Sequence, residues 1–524
     1  MNIIPRPNKI CYAQDEQGYT LHEGDGVWFA PALAACADAF QTLIAQKTGI
    51  AFQNVDKSAA KICFCEQKTL AKESYHLTAT QSGIEIAAPD AAGAFYAVQS
   101  LRLLLSADLS CVPYVCPAVH IEDAPAFAWR GLHIDTARHF FDKDEIIKIM
   151  RFMALCKLNV LHLHLTDDQG FRIPITKYPE INRVSTTRAG TQGPAFLKRK
   201  VQPGVYAAQF TREDIAEIVA FGKENHIKIV PELDIPGHCA ALVAAMPHLS
   251  CTGDAIAVRE RFGISPDILC AGNDEVYAVI KAIIDEIIAL FGCEYLHLGG
   301  DEAPKKRWKA CPKCQAKIRA LGLADEHALQ AHMFNTLAAY AQEKGVRVLG
   351  WNECLNPHLN KSVINQHWIG NPDKKTLPQL NAGRDTVFSY FSYYFDYPYS
   401  MTPLEKTYAQ PIAPNGTTEA GKAHILGVEG CLWSEFMCRR EKLEFNLFPR
   451  LFALAERAWT QDSDYDTLID SMNGYRPLLE AEDICYANMA FTHERHKKAP
   501  GKTLTYFCKN AYAEFESETG ISPR

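Results

Sequence analysis

Between residues 75 and 105 the spacing of apolar positions changes period. YHLTAT (75–80) and GIEIAA (83–88) alternate apolar and polar residues on either side of a Gln-Ser-Gly turn, the pattern of two paired strands. Immediately after them Phe95, Val98, Leu101 and Leu105 fall at helical spacing, behind Asp90 as a cap. The pattern predicts a small α/β unit over 71–105. The Pro-containing stretch CVPYVCPAVHIEDAPAF (111–127) reads as a linker into a second domain, with a boundary near 125.

Beyond that boundary short strand-like runs alternate with helical ones. RGLHID (130–135) precedes a helix opened by Asp142 with Glu145 three residues on, a capping-box spacing. NVLHLHL (159–165) leads through a long loop to a helix begun by Thr211, then comes IKIVPELD (227–234). Helix 274–291 feeds YLHLGGDE (295–302), and helix 325–344 feeds VRVLGW (346–351). SVINQHW (362–368), TVFSYFSYY (386–394) and HILGVEGCLW (424–433) complete the series, and FPRLFALAERAW (448–459) reads as a last helix. About eight βα units predict a TIM (β/α)8 barrel behind a small α/β domain. The domains expected are 1–125, 126–460 and a C-terminal extension, 461–524, helical and packed on the barrel.

A barrel of this kind carries its chemistry where the strands give out. Those places hold Asp135 and Arg138, Asp167 and Asp168, Asp234 and His238, Asp301 and Glu302, Trp351 and Glu353, Trp368, Tyr394 and Asp396, and Trp433 and Glu435. Carboxylates beside several tryptophans suit a sugar, whose C–H faces pack on aromatic rings while charged groups bond its hydroxyls. Asp301 and Glu302 are adjacent, and neighbours on an extended strand point to opposite faces. For both to face one substrate the backbone must turn, and Gly299–Gly300 supplies the freedom. One acid then stays ionised while its neighbour, desolvated and beside that charge, keeps a proton and serves as general acid.

Composition narrows the classes. With 48% hydrophobic and 22% charged residues and a net charge of −7, the chain has no electrostatic footprint for nucleic acid. No stretch approaches the apolar length of a membrane span, and the N-terminus has no signal-peptide core. The 18 cysteines are scattered without a disulfide framework, so the cytoplasm is the expected compartment, barring a removed leader. Cys311 and Cys314 form the one compact CxxC pair. Structural zinc takes four ligands, so a single pair is a weak zinc signal beside the plainer reading of a loop with two thiols; sequence leaves open whether the pair binds metal, and the function expected here calls for no metal or cofactor. His162 and His164, in HxH spacing on one strand face, leave a metal-dependent barrel hydrolase as a rival reading. A sugar-binding protein without turnover is a second.

The motifs GLHIDTARHF (131–140), HLHLTDDQGFRIPI (162–175), PELDIPGH (231–238), LHLGGDE (296–302), GWNE (350–353), SYYFDYP (392–398) and LWSE (432–435) follow in an order that resembles glycoside hydrolase family 20 β-N-acetylhexosaminidases over roughly residues 1–460. The resemblance implies exo-acting, retaining hydrolysis of terminal GlcNAc or GalNAc assisted by the substrate's own 2-acetamido group, without a metal. It implies that Glu302 is the general acid and base, that Asp301 orients the acetamido nitrogen, and that Tyr394 bonds its oxygen. Asp167 and His238 resemble a relay that tunes Glu302. Arg138, Asp396 and Glu435 would bind hydroxyls, and Trp351, Trp368 and Trp433 would wall the sugar. The expected partner is a small oligosaccharide or glycoconjugate ending in N-acetylhexosamine, with no nucleic acid and no membrane. Leu163 and Phe171 stand where the family often has Trp, and Asn352 replaces an expected acid. His162, His164 and His297 read as structural or supporting.

Overall fold

The computed structural model describes residues 3–13, 15–105, 112–195, 200–460, 464–488, 492 and 508–522. The chain divides into two compact units. One holds residues 1–130, 151–158 and 451–484, and the other holds 131–150, 159–450 and 485–524.

The first unit is built on a seven-stranded sheet. Its order is Lys9–Tyr12, Val119–Asp123, Tyr75–Thr80, Gly83–Ala88, Ile62–Glu66, Gly26–Phe29 and Gln53–Asn54. Helices Ala34–Thr48 and Ala91–Leu104 bury apolar side chains, and the Asp90 carboxylate caps the second by accepting from the Gly93 amide at 2.8 Å. The stretch expected as a linker is instead partly sheet. Val119–Asp123 lies between Lys9–Tyr12 and Tyr75–Thr80, antiparallel to both. Pro113 and Pro117 punctuate the sequence like a linker, but VHIED alternates, burying Val119, Ile121 and Asp123. Asp123 is satisfied inside by the Tyr75 hydroxyl at 2.7 Å, the Trp459 indole at 2.9 Å and the Lys157 ammonium at 3.0 Å.

A closed barrel of eight parallel strands follows: β1 Trp129–Asp135, β2 Val160–His164, β3 Lys228–Glu232, β4 Tyr295–His297, β5 Arg347–Trp351, β6 Ile364–His367, β7 Thr386–Phe388 and β8 Ile425–Leu432. Every strand expected from the pattern is present. β7 is shorter than expected: after Phe388 the chain turns at Phe391–Tyr393 and returns to the sheet only through a bridge from Tyr394 to Cys431. The capping box expected at Asp142 is formed, with Asp142 and Glu145 exchanging amide–carboxylate bonds at 3.0 and 3.1 Å, and the helix expected to begin at Thr211 opens with a second one, between Thr211 and Asp214.

Inside the barrel the inward positions form a polar layer. Asp135 pairs in register with His164, His164 with Glu232, and Glu232 with His297, so four neighbouring strands place chemistry at one height. The long loop expected after β2 contains a hairpin, Thr187–Gln192 against Val201–Ala207; residues 196–199 lie outside the description. In the C-terminal extension, Tyr465–Asn473 and Arg476–Ala481 are helical, as is Ala513–Thr519, where Tyr512 and Phe515 pack with Tyr399 and Phe445. No helix among the described residues is long and apolar enough to cross a membrane.

Candidate active site

Where β4 ends, Gly299 and Gly300 take φ of 62° and 98°, values that favour glycine. A side chain at Gly299 would overlap the Asp234 carboxylate, whose Oδ1 accepts from the Gly300 amide at 3.2 Å. The turn expected between strand and acids is therefore made and locked from β3. Glu302 also has a positive φ, 42°, and its amide donates to Glu353 Oε2 at 3.0 Å, which holds a strained backbone in place from the end of β5.

The turn separates the two acids by environment. Asp301 is buried, 4% exposed, whereas the Glu302 side chain keeps 33% of its surface open. Burial, reinforced by the charges of Glu232, Glu353 and Glu302, pushes the Asp301 carboxyl up to about 7 against the pull of His238, so the desolvated acid of the pair is Asp301 and not, as the pattern led one to expect, the general acid. Asp301 Oδ1 is buried with no protein hydrogen-bond partner, so it is free to accept from a donor brought by a ligand.

His238 sits over both acids, with Nε2 3.6 Å from Asp301 Oδ2 and 3.5 Å from Glu302 Oε2. It too has a positive φ, 50°, on the loop after β3. Its Nδ1 lies 3.2 Å from Asp167 Oδ1. Burial alone would lower His238, but Asp167 and then Asp301 hold it well above its ordinary value, which favours the protonated imidazole. Asp167 is also held by Arg138 Nη2 at 2.6 Å and His164 Nε2 at 2.9 Å; these cations overcome burial and keep its carboxyl well below the usual range.

A buried network continues beneath. Glu232 Oε2 meets His164 Nδ1 at 2.5 Å and His162 Nε2 at 3.2 Å, and Oε1 meets His297 Nδ1 at 2.8 Å and the Trp351 indole at 2.9 Å. His162 Nδ1 pairs with Glu429 at 2.8 Å. Both nitrogens of His162 and of His164 thus face carboxylates inside the barrel. Their arrangement is that of buried histidine–carboxylate pairs.

The aromatic wall is assembled from strands β5 to β8. Trp351, Tyr394 and Trp433 pack together with Trp368 and Tyr397 against them. Trp351 is wholly buried and forms the floor, while Trp368 and Trp433 have unpartnered buried indole nitrogens. Tyr394 stacks on Trp368 and its hydroxyl donates to the Trp368 carbonyl. At the far side the Arg138 guanidinium lies over Trp433, bonded to Asp135 at 3.1 Å and 3.9 Å from Glu435. Burial, then Glu435, raises the Asp396 carboxyl, whose Oδ1 has no protein hydrogen-bond partner. Asn352, the departure in GWNE, accepts from the Trp368 and Ile369 amides at 2.9 and 3.2 Å and donates to the Ile369 carbonyl at 2.9 Å. An amide rather than an acid suits this site because the Ile369 carbonyl needs a donor.

All eleven residues to which the resemblance gives a role thus lie in the barrel around one cluster. Sequence reasoning did not single out Glu232 and Glu429, which pair the histidines, and it placed Glu353 at the end of β5 without a role, where it holds the Glu302 amide. Nor did it assign Arg188, which donates from the hairpin to the Arg138 and Gln169 carbonyls at 2.7 and 3.0 Å. Charged residues at inward strand positions were the available signal for the first two. It also left Cys251 and Cys270 unconnected to Cys311 and Cys314, although the fold gathers all four.

Comparison with known proteins agrees with this geometry. The model of the glycosyl hydrolase family 20 catalytic domain matches residues 127–462, and that of domain 2 of the family matches residues 1–124. The chain belongs to glycosyl hydrolase family 20. It is 35% identical over 409 residues to a beta-hexosaminidase of Porphyromonas gingivalis, matching 75% of this chain but 51% of that protein, so it spans about half that relative's length. A beta-N-acetylhexosaminidase of Cellulomonas fimi is 30% identical, with 81% of this chain and 82% of that one covered. Among solved structures, the GH20 exo beta-N-acetylglucosaminidase of Vibrio harveyi in complex with N-acetylglucosamine superposes with a TM-score of 0.82 at 26% identity, covering 93% of this chain and 78% of that one. The beta-N-acetylhexosaminidase of Bacteroides fragilis gives 0.80 at 26% identity, covering 95% and 99%.

Proposed function

We propose that this chain is an exo-acting, retaining β-N-acetylhexosaminidase that removes terminal GlcNAc or GalNAc with the help of the substrate's 2-acetamido group. The observation that carries the reading is the unequal pair at the end of β4: a buried Asp301 with an unpartnered oxygen, beside an accessible Glu302, under one shared imidazole.

Glu302 protonates the glycosidic oxygen as it leaves. The acetamido oxygen attacks the anomeric carbon, so the bond to the leaving group breaks as a bond to that oxygen forms, and positive charge develops on the acetamido nitrogen. Asp301 accepts the N–H and stabilises that charge as a carboxylate. Tyr394 exchanges the Trp368 carbonyl for the acetamido oxygen, orienting it for attack. Glu302, now ionised, takes a proton from water, which opens the oxazolinium-like intermediate with retention. His238 and Asp167 stabilise the acids' charges and fix their direction. Arg138, Asp396 and Glu435 bond the non-reducing hydroxyls, and Trp368 and Trp433 pack on the ring above Trp351. A reducing compartment such as the cytoplasm belongs to the same proposal, supported by the free thiols of the described cysteines.

The deciding experiment is hydrolysis of aryl β-N-acetylglucosaminide, aryl β-N-acetylgalactosaminide and the 2-hydroxy analogue by purified protein. Turnover of an acetamido substrate with negligible cleavage of the 2-hydroxy sugar is the expected result. Equal rates on the acetamido and hydroxy sugars would exclude assistance, and no turnover on any would favour a binding role.

A further inference from the structure

The segment that follows the His238 loop and the segment that follows Glu302 meet at four cysteines. Ser250 bridges Leu269 antiparallel and the Cys270 amide donates to the Leu249 carbonyl at 2.8 Å, which brings Cys251 beside Cys270 across nineteen residues of chain. Cys311 stands at the N-cap of helix Pro312–Ala320 and Cys314 lies in its first turn. Their sulfurs converge: Cys270 Sγ is 3.7 Å from Cys311 Sγ and 3.6 Å from Cys314 Sγ, and Cys251 Sγ is 3.9 Å from Cys314 Sγ. All four lie within 4.8 Å of one another.

These separations are far beyond a disulfide bond of about 2.0 Å. They match the edge of a zinc tetrathiolate, since four Zn–S bonds of about 2.3 Å at tetrahedral angles place sulfurs about 3.8 Å apart. Cys270, Cys311 and Cys314 are buried and Cys251 is half-buried, so an ion here would be closed off from water and ligands, as structural zinc is. The surrounding backbone fits the same shape. Gly272 has no side chain where one would collide with the Cys314 backbone, which lets the 270–273 turn lie directly on the CxxC turn.

We propose that Cys251, Cys270, Cys311 and Cys314 bind one structural zinc ion that clips the loop after β3 to the loop after β4. Binding converts four thiols to thiolates and releases their protons to solvent, so the site loads more tightly as pH rises. The clip acts on the acids at a distance. Leu269, adjacent to Cys270, donates its amide to the Pro236 carbonyl at 3.0 Å, two residues from His238, and accepts from the Trp308 indole at 2.9 Å. Gly237 in turn packs against the Asp301 backbone so closely that a Cβ there would lie 2.9 Å from the Asp301 carbonyl oxygen. The ion therefore fixes the loop that carries the imidazole against the loop that carries both carboxyls. None of this rests on which sugar is cut or on whether turnover occurs.

The test is elemental analysis of the full chain purified from zinc-supplemented medium, with cobalt substitution as a second readout. The expected result is about one zinc per chain, with a tetrahedral cobalt–thiolate spectrum in the substituted protein. The substitution Cys251→Ser, at the half-buried corner, is expected to lower zinc content at least tenfold after dialysis, while Cys11→Ser, an exposed cysteine elsewhere, leaves it unchanged. Circular dichroism on the same samples reports folding; if Cys251→Ser does not fold, the metal content and cobalt spectrum of the wild-type chain decide. Wild-type protein without zinc, iron in its place, or a folded Cys251→Ser with undiminished zinc would overturn the proposal.

Discussion

His238 and Asp167 are joined at 3.2 Å across two strand ends, and the pair stands between the acids above and the barrel's buried network below. Asp167 is the point where Arg138, His164 and His238 meet, so one carboxylate contacts three buried basic side chains, whose remaining counter-charges come from Asp135, Glu232 and the two acids. The geometry makes the reaction centre and the core of the barrel one electrostatic unit.

Replacing Asp167 with Asn keeps the shape and removes that charge. Breaking a buried ion pair from one side costs about 3 to 5 kcal/mol. Because the Asp167 carboxyl is held below its ordinary range, its contribution is present above the unfolded value and is lost as pH falls through the folded one. Urea denaturation is expected to show the variant weakened by that order at pH 7 and closer to wild type in acid. A uniform deficit at all pH values would assign the loss to packing.

Asp301 has the opposite sign. Its carboxyl is raised to about 7, so between the unfolded value and about 7 the folded chain binds more protons than the unfolded one, and stability falls as pH rises through that window. Asp301→Asn removes the group that must ionise. The variant is expected to gain a few kcal/mol over wild type at pH 8 and nothing at pH 4, while hydrolysis falls. Thermal unfolding at the two pH values reads this directly; equal shifts at both would show that Asp301 is not the proton carrier.

Glu302→Gln separates acid assistance from binding. On glycosides with poor leaving groups kcat/KM is expected to fall by about 10²- to 10⁴-fold, and by much less on activated aryl glycosides, which leave without a proton. Losses of the same size on both would remove Glu302 from the acid role.

Much of this site could be read along the chain because a barrel brings strand ends together whatever lies between them. Asp135, Asp167, Glu302, Trp351 and Glu435 each close a recognisable apolar run; that position marked them as candidates, and the ordered motifs shared with the family supplied roles for all but Asp135. What could not be read depends on how long loops return. Cys251 and Cys270 acquire meaning only because Ser250 pairs with Leu269, and Arg188 reaches the Arg138 carbonyl only because 187–207 folds as a hairpin. Strand Val119–Asp123 was hidden by the prolines around it, since its partners lie forty and more than a hundred residues earlier.

Asn352 offers a test of how the wall is held. Its oxygen accepts two amides and its NH2 donates to the Ile369 carbonyl, and through these bonds it fixes Trp368 at the end of β6. Asn352→Asp keeps both acceptor bonds and turns the third into a carboxylate oxygen facing a carbonyl. The unpaired carbonyl and the repulsion together are expected to cost about 1 to 3 kcal/mol in urea denaturation. Because Trp368 carries the carbonyl that receives the Tyr394 hydroxyl, KM for an aryl N-acetylhexosaminide is expected to rise as well. A variant as stable as wild type with KM unchanged would mean that Trp368 is held by its packing against Trp351, Trp433 and Tyr394 and not by Asn352.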